Sequence, residues 1–367
     1  MKKINQMEPT YGIEEKKAIM EYLDSGAWLM EHKQTRELEK MLADFIGTKY
    51  CNMVPNGTLS LSAALTVLGI KPGDEVIVPD YTIIATATAA SFIGAKPVFV
   101  DIERDSCAID AVDLANNITN KTKAIMLVSI NGRQARDWDL IYEIAEEHGI
   151  PVVEDAAQCL GSYYDVGKYK QHIGTLGHIG SFSFSISKII TMGSGGFVIT
   201  DDEKIDEEIK LLKNFGRVKG GIDVNIYPGI DLKFNDVLAT IGIEQMKKLP
   251  MRIKRKKEMY KLYRDLLQDV KGVKFFDTDL KITSPWMVDM LVENPKKLAE
   301  TLNKKNIGTR GFYPALHTQK PYELVIGDFS ISDYISQHGI WMPSYLSLTD
   351  EEIKFICDEV KKGLKCQ

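Results

Sequence analysis

The residues Gly73–Ile102 read GDEVIVPDYTIIATATAASFIGAKPVFVDI, and the arrangement of their apolar runs decides the fold. Two short apolar runs, Glu75–Val78 and Pro97–Val100, enclose a stretch of helical length, Ile83–Phe92. Apolar runs without polar alternation are typical of parallel strands that are covered on both faces. The stretch therefore predicts a strand–helix–strand unit of a parallel sheet.

The same alternation of strand and helix continues on both sides of this unit. Strands are predicted at Tyr50–Val54, Ala124–Val128 and Pro151–Glu154, and helices at Leu59–Val67 and Leu140–Glu147. A chain that alternates in this way forms an α/β fold, in which helices cover a large, mostly parallel sheet.

The alternation weakens after the predicted helix Asp236–Lys247. We therefore predict a large domain of residues 1–245 and a small α+β C-terminal domain of residues 246–367. A chain of this length can bury the cores of two such domains. The elements predicted near and beyond the boundary are helices at Asp236–Lys247, Met251–Asp269, Pro295–Lys304 and Asp350–Leu364 and a strand near Trp286–Val292.

The composition argues against several classes of protein. A net charge of −5 with 44% hydrophobic and 26% charged residues is ordinary for a globular protein, and no long basic block favours nucleic acid. The longest uncharged run, Tyr81–Ala95, is too short to span a bilayer, and the N-terminus lacks the apolar core of a signal peptide. The five cysteines include no CxxC pair, so we expect no disulfide framework, no metal site and a cytoplasmic location.

The stretch Val152–Gln158, VVEDAAQ, ends an apolar strand with two carboxylates, which we expect to be exposed there. Ligands of open α/β sheets bind at the carboxyl ends of strands, so Asp155 is well placed for chemistry. A helix cap is an equally good interpretation of the same aspartate.

The turn Asn56–Thr58, NGT, precedes a predicted helix. Gly57 permits close approach of the backbone, and Thr58 with the first helical N–H groups can hold a phosphate at the positive end of the helix. Asn-Gly turns before helices are common, so this signal is weak when it stands alone.

The run Ser181–Gly196, SFSFSISKIITMGSGG, carries a single lysine, Lys188. Its apolar neighbours predict burial, and a buried lysine loses proton affinity from its usual pKa of about 10.4. Such an amine can form a Schiff base with a carbonyl group, whereas the alternative is a surface lysine. The neighbours that we expect to be buried are Phe182, Phe184, Ile186, Ile189 and Ile190.

Together the three motifs supply the groups that bind pyridoxal phosphate (PLP). The helix start can hold the phosphate, the carboxylate can pair with the pyridine nitrogen, and the lysine can bond to the aldehyde. The sequence therefore predicts one PLP site, assembled from three separate segments.

The chain resembles the DegT/DnrJ/EryC1/StrS family of sugar aminotransferases over nearly its whole length. The resemblance implies an aspartate-aminotransferase-like fold (PLP fold type I) and a PLP-dependent transaminase. Trp286-Met287 and the following strand are similar to the perosamine-synthase branch, although a tryptophan on a strand is more often part of the core. The motifs that carry the resemblance include PNGTLSLSAAL, VVEDAAQCLGSYY, GSFSFSISKIITMGSGGFVITDD, KFNDVLATIGIEQMKKL, YPALH and MPSYLSLTDEEI.

The resemblance also implies roles for matching residues. Lys188 matches the catalytic lysine that bonds to the cofactor, Asp155 the partner of the pyridine nitrogen, and Gln158 a polar residue beside the cofactor ring. The cofactor contacts implied in this way are Gly57, Thr58, Asp155, Gln158, Ser183 and Lys188, and the implied substrate contacts are Tyr313 and His317.

The implied reaction moves the amino group of L-glutamate to a nucleotide-linked 4-keto-6-deoxy sugar, in amino-sugar biosynthesis for surface glycans. The implied assembly is a homodimer with shared active sites. Three alternatives stay open: amination of a C3 keto sugar, amination of a small phosphorylated keto compound, and a PLP-binding regulatory protein without turnover.

Some positions depart from the family's pattern. Ile83 stands where an aromatic residue often lies beside the cofactor ring, and Asp231 stands where an asparagine often reaches the partner's phosphate. An anionic side chain would repel that phosphate, so the role is not carried over to Asp231. Asn131 and Arg133, in the segment SINGRQARDWD, are expected either to alter the substrate pocket or to be turn residues.

Overall fold

The computed structural model describes residues 3–167, 170–219 and 221–365. Its largest element is a seven-stranded sheet of short strands with mostly buried side chains. The strands of this sheet, numbered together with the separate hairpin strands β6 and β7, are β1 Tyr50–Val54, β2 Glu75–Pro79, β3 Lys96–Val100, β4 Thr122–Val128, β5 Val152–Asp155, β6 Tyr163–Asp165, β7 Lys170–His172, β8 Ile179–Ser183 and β9 Gly196–Thr200.

The large sheet is mostly parallel, as the sequence predicts. Strands β3, β2, β4, β5 and β8 are parallel neighbours in that order, and β9 is antiparallel both to β8 and to β1 at the far edge. Because parallel strands end at the same edge of a sheet, the carboxyl ends of β4, β5 and β8 lie side by side.

Helices cover both faces of this sheet. Val76 and Val78 of β2 pack in the cluster that contains α3 and α4 residues, whereas Ile77 between them packs in the cluster of α5 and α6. This alternation follows from the two-residue period of a strand. The helices of the described chain are α1 Ile13–Asp24, α2 Lys33–Ile46, α3 Gly57–Val67, α4 Ala85–Phe92, α5 Ala111–Asn117, α6 Trp138–Glu147, α7 Glu203–Lys213, α8 Asp236–Leu267, α9 Pro295–Asn303, α10 Ser330–His338 and α11 Asp350–Lys365.

A second, four-stranded antiparallel sheet lies in the C-terminal part, in the order β10, β11, β13, β12. Its core is shared with the C-terminal half of α8 and with α9 and α11. Ile4 belongs to the same core and pairs with Ile307. The strands of this sheet are β10 Val273–Lys274, β11 Val288–Val292, β12 Arg310–Gly311 and β13 Gly339–Met342.

The helix α8 differs from the prediction of two separate helices. It continues through Pro250, although proline lacks the N–H that a helix interior uses. Leu249 is buried next to this proline, and Arg252 donates hydrogen bonds to the carbonyl oxygens of Ile189 and Thr10, so tertiary contacts hold both sides of the proline in place. The helix also runs across residue 245, and the domain division at that residue stays a prediction.

None of the helices in the described residues is both long and apolar enough to cross a membrane. Four cysteines of this part are free thiols, and Cys366 lies outside the described residues.

Two residues that depart from the family's pattern connect the large sheet to β11. The side-chain amide of Asn131 accepts a hydrogen bond from Met287 N at 2.7 Å and donates one to Met287 O at 3.0 Å. Arg133 Nη1 lies 2.8 Å from Asp289 Oδ2, and both side chains are buried. Asn131 does lie in a turn, with a φ of 56°, but both residues serve as buried links between the two sheets.

We predict that Asp289→Ala destabilises the folded chain strongly, because it leaves the buried Arg133 guanidinium without a counter-charge. Removing one partner of a buried ion pair costs about 3–5 kcal/mol of unfolding free energy. The measurement is chemical denaturation at pH 7. Lys40→Ala, which breaks the exposed pair with Asp44, is the control and should leave the midpoint almost unchanged. Equal effects of the two substitutions would contradict the prediction.

Candidate active site

Asp155 ends β5 at the carboxyl edge of the large sheet. Its carboxylate is buried and accepts hydrogen bonds from Thr86 Oγ1 at 2.8 Å and from Ala157 N at 3.2 Å. Burial raises the pKa of this carboxyl, while the two hydrogen bonds and the charge of Lys188 act in the opposite direction. Among the described residues, Asp155 has neither a cationic hydrogen-bond partner nor an ion pair, so it can stabilise a positively charged group that binds beside it.

Glu154, the preceding residue, has a different environment. The sequence predicts that both carboxylates are exposed, but both are buried, because β5 lies in the interior of the sheet. The Glu154 carboxylate accepts hydrogen bonds from Tyr164 Oη and from three backbone N–H groups of the turn at residues 174–177. Its hydrogen bonds are used to hold that turn, and Asp155 is the strand-end carboxylate available for a ligand.

The start of α3 lies beside the end of β8. Asn56 caps the helix by accepting from Leu59 N at 2.9 Å, and the N–H groups of Gly57 and Thr58 in the first turn have no helical acceptor. A Cβ atom on Gly57 would lie 2.8 Å from Ser183 Cβ, so only glycine fits this close approach. The helix start and Ser183 thus form one cradle of donors, which suits a phosphate.

Lys188 lies in the loop between β8 and β9. In the described part of the chain its amine forms neither a hydrogen bond nor an ion pair, although it interacts electrostatically with Asp155. Burial lowers the pKa of the amine to about 8, Asp155 and Cys159 oppose this shift, and Arg310 adds to it. The amine is therefore much closer to its neutral, nucleophilic form at neutral pH than an ordinary lysine is.

The segment around Lys188 is less uniformly buried than predicted. Phe182, Phe184, Ile189 and Ile190 are buried, but Ile186 is 51% exposed. The prediction for Ile186 is wrong because the chain leaves the sheet at Ser183 and turns, so the strand alternation no longer decides which side faces the core.

Gln158 lines a narrow cavity together with Lys188, Ser183 and Trp286. Its Oε1 accepts a hydrogen bond from Asn131 N at 2.6 Å. The acceptor end of the amide is thus occupied by the backbone, and its amino end is left as a donor within the site.

Tyr313 and His317 have different surroundings. Tyr313 is buried against Trp341 and Tyr81, and burial raises the pKa of its hydroxyl, with a smaller contribution from the charge of Asp155. His317 Nδ1 lies 2.7 Å from Asp80 Oδ2, and the His317 ring stacks on Phe329. The structure thus places Tyr313 near Asp155, whereas His317 contacts Asp80 and α10 neighbours, and its role in substrate binding stays a prediction.

The departures at Ile83 and Asp231 both lie at the surface. Ile83, two residues before α4, is 39% exposed. The Asp231 carboxylate accepts a hydrogen bond from Lys233 N in its own segment, so it is turned toward its own backbone.

Sequence reasoning missed two residues of this site. Thr86 holds Asp155 and is itself paired with Thr82, and the run of threonines and alanines in TIIATATAA is the signal that could have indicated it. Arg310 acts on Lys188 through its charge, and its guanidinium lies 5.6 Å from the Tyr313 ring. It is exposed, and within the described residues it has neither a hydrogen bond nor an ion pair.

These residues fit PLP. The Gly57–Ser183 approach leaves a cradle of donors for the phosphate, and Asp155 is a buried carboxylate that lacks a cationic hydrogen-bond partner among the described residues. Lys188 supplies an amine of lowered pKa that lies close enough to Asp155 to interact with its charge. The structure therefore brings together all six residues for which the sequence predicts cofactor contacts, and their individual roles stay predictions.

Comparison with known proteins supports the same chemistry. The model of the DegT/DnrJ/EryC1/StrS aminotransferase family matches residues 9–361. The chain is 31% identical over 366 residues to a GDP-perosamine synthase of Vibrio cholerae, covering 98% of each chain, and 33% identical over 365 residues to one of Escherichia coli O157:H7, covering 99% of each. The crystal structure of the aminotransferase TlmJ from Streptoalloteichus hindustanus has a TM-score of 0.92 at 27% identity, covering 99% of each chain. This likeness confirms the predicted aspartate-aminotransferase-like fold.

We predict that Lys188 reacts with PLP in the cofactor-free chain with a midpoint near pH 8. A protonated amine does not react with an aldehyde, and burial favours the neutral amine, so labelling begins at lower pH than for an ordinary lysine. The measurement is borohydride trapping followed by mass spectrometry at a series of pH values. Lys40 is the control in the same sample, because Asp44 raises its pKa from 10.5. The same profile at both lysines would contradict the prediction.

Proposed function

The chain belongs to the DegT/DnrJ/EryC1/StrS aminotransferase family and is a PLP-dependent enzyme, and we propose that it transfers the amino group of L-glutamate to a nucleotide-linked 4-keto-6-deoxy sugar. The observation that carries this proposal is the arrangement at one edge of the large sheet: Lys188 and Ser183 line one cavity, Gly57 at the start of α3 packs against Ser183, and the buried Asp155 carboxylate is held by Thr86. The named relatives support a GDP-linked sugar as the first substrate to test. A cytoplasmic location stays a prediction.

Different residues of the site would carry out different parts of the proposed reaction. PLP, when bound, accepts the electron pair of the bond that is broken at the substrate carbon. Asp155 would keep the pyridine nitrogen protonated, and Thr86 holds that carboxylate in place. The Gly57 and Thr58 N–H groups and Ser183 would hold the phosphate. Lys188 would attach the cofactor and, once its amine is free, take the proton from the α-carbon of glutamate at Nζ.

Arg310 is suited to bind a carboxylate of the amino donor. It is an exposed guanidinium without an ion pair among the described residues, and its charge already acts on Lys188. An arginine binds a carboxylate through two parallel hydrogen bonds, which also fixes the orientation of the bound acid.

A second copy of the chain would cover apolar surface that the described residues expose. The described residues between 215 and 230 expose a series of apolar side chains, and Ile186 is exposed two residues from Lys188. Exposed apolar patches of this kind mark interaction surfaces. We therefore propose the homodimer that the sequence predicts. The exposed residues of the segment are Phe215, Val218, Ile222, Val224, Ile226 and Ile230.

The proposed reaction predicts that glutamate changes the absorbance of the PLP-loaded protein and that a nucleotide-linked keto sugar reverses the change. Lys188→Ala should lose at least about a thousandfold in turnover, because in the proposed reaction Lys188 supplies both the covalent bond and the proton transfer. The control is Lys40→Ala, an exposed lysine. Normal turnover of Lys188→Ala would end the assignment, and a loaded protein that ignores glutamate would favour a binding protein without turnover.

Arg310→Gln should raise the KM for glutamate about tenfold or more while the step with the keto sugar keeps its rate, since a charge-assisted hydrogen bond to one substrate is lost. The two half-reactions are followed separately by absorbance. Arg104→Gln is the matched control, because that guanidinium also lies over a ring, 4.7 Å from the centre of Tyr334. A loss confined to the sugar step would instead assign Arg310 to the sugar nucleotide.

The double substitution Val224→Glu with Ile226→Glu should convert a dimer to a monomer, because it buries two carboxylates in an apolar contact. Analytical ultracentrifugation gives the mass of the assembly. Val112→Glu, at another exposed valine on α5, is the control and should leave the mass unchanged. An unchanged dimer in the double variant would show that this segment is not the interface.

A further inference from the structure

The backbone of Lys188 is held by side chains from outside the large sheet. Trp286 Nε1 donates a hydrogen bond to Ser187 O at 2.7 Å, and Arg252 Nη1 donates one to Ile189 O at 3.2 Å. The carbonyl groups of the residues on both sides of Lys188 are therefore bound by side chains of α8 and of the segment before β11. The position of the lysine depends on these two segments as well as on β8 and β9.

The Trp286 ring also contacts the amine itself. Lys188 Nζ lies 4.5 Å from the centre of this ring. Trp286 is 3% exposed, and its ring meets the Trp341 ring edge to face with 5.7 Å between the ring centres. The backbone carbonyl of Trp286 accepts a hydrogen bond from the buried Lys256 Nζ at 2.8 Å. With its N–H, its ring and its carbonyl all in contact, Trp286 is held in one orientation beneath the lysine.

The surroundings of Lys188 explain why an aromatic face matters there. Asp155 and Cys159 favour the ammonium form, whereas burial and the charge of Arg310 disfavour it. The amine has no hydrogen-bond acceptor among the described residues, and the ring face of Trp286 offers it a favourable contact. A desolvated cation on an indole ring is stabilised more strongly than an exposed one.

We propose that Trp286 is a positioning residue: its N–H fixes the backbone beside Lys188, and its ring face receives the Lys188 ammonium whenever that amine is not bonded to the cofactor. The free amine must take up a proton and return it during the reaction, so a defined position for the ammonium serves both steps. The inference rests on the proposed function and deepens it. It also assigns a role to Trp286, for which the sequence analysis offers two interpretations, a signature of a family branch or a core residue.

The test measures the pH profile of Lys188 labelling by PLP in the cofactor-free, full-length chain, with borohydride trapping and mass spectrometry. Removing the ring removes a contact that favours the ammonium, so the midpoint in Trp286→Leu should move down by about one pH unit. Trp286→Phe keeps an aromatic face and should keep most of the wild-type midpoint. If the leucine variant does not fold, Trp286→Met carries the same expectation, because its unbranched, flexible side chain can fill more of the irregular space that the ring leaves.

Trp138→Leu is the matched control. It also removes a tryptophan, one that packs on Tyr164 at 5.5 Å, and its profile should equal that of the wild type. Identical midpoints in folded wild-type, Trp286→Leu and Trp286→Met chains would overturn this inference alone. A wild-type chain in which PLP does not label Lys188 at any pH would overturn the proposed function together with it.

Discussion

The site depends on the desolvation of two opposite charges, the buried Asp155 carboxylate and the half-buried Lys188 amine, which do not form an ion pair with each other. Burial raises the pKa of Asp155 and lowers the pKa of Lys188, so each group is shifted toward its neutral form. A contacting pair would instead hold both groups in their charged forms. Because they are held apart, the carboxylate remains able to bind a cationic ring nitrogen and the amine remains able to bond to a carbonyl.

Several segments hold the two groups in these positions. The parallel order of β4, β5 and β8 brings Asp155 and Ser183 to one edge of the sheet, where the start of α3 and Thr86 complete the donors. Lys188 lies in a loop, and its backbone is held from the other side by Trp286 and Arg252. The large sheet thus supplies the reacting groups, and the segments beyond it determine the position of the lysine.

Two residues that depart from the family's pattern, Asn131 and Arg133, also hold the segment that carries Trp286. Asn131 binds both backbone groups of Met287, and Arg133 forms a buried ion pair with Asp289 two residues further along β11. Met287 follows Trp286 directly, so the same contacts that join the two sheets also place the tryptophan under Lys188. Asn131 and Arg133, which the sequence analysis interprets as turn or pocket residues, are thereby connected to the chemistry through the backbone of residues 286–289.

The sequence by itself determined the α/β class, the mostly parallel sheet and the segments that carry Asp155, Gly57 and Lys188, because runs of apolar residues and glycine turns are local properties. The tertiary structure alone decided the burial of Glu154, the continuity of α8 through Pro250, the two-residue strands β10 and β12 and the exposure of Ile186. It also decided the contacts of Arg310 and Trp286 with the site. These features depend on residues far apart in the chain, such as Ser187 and Trp286, 99 positions apart, whose contact no local pattern encodes.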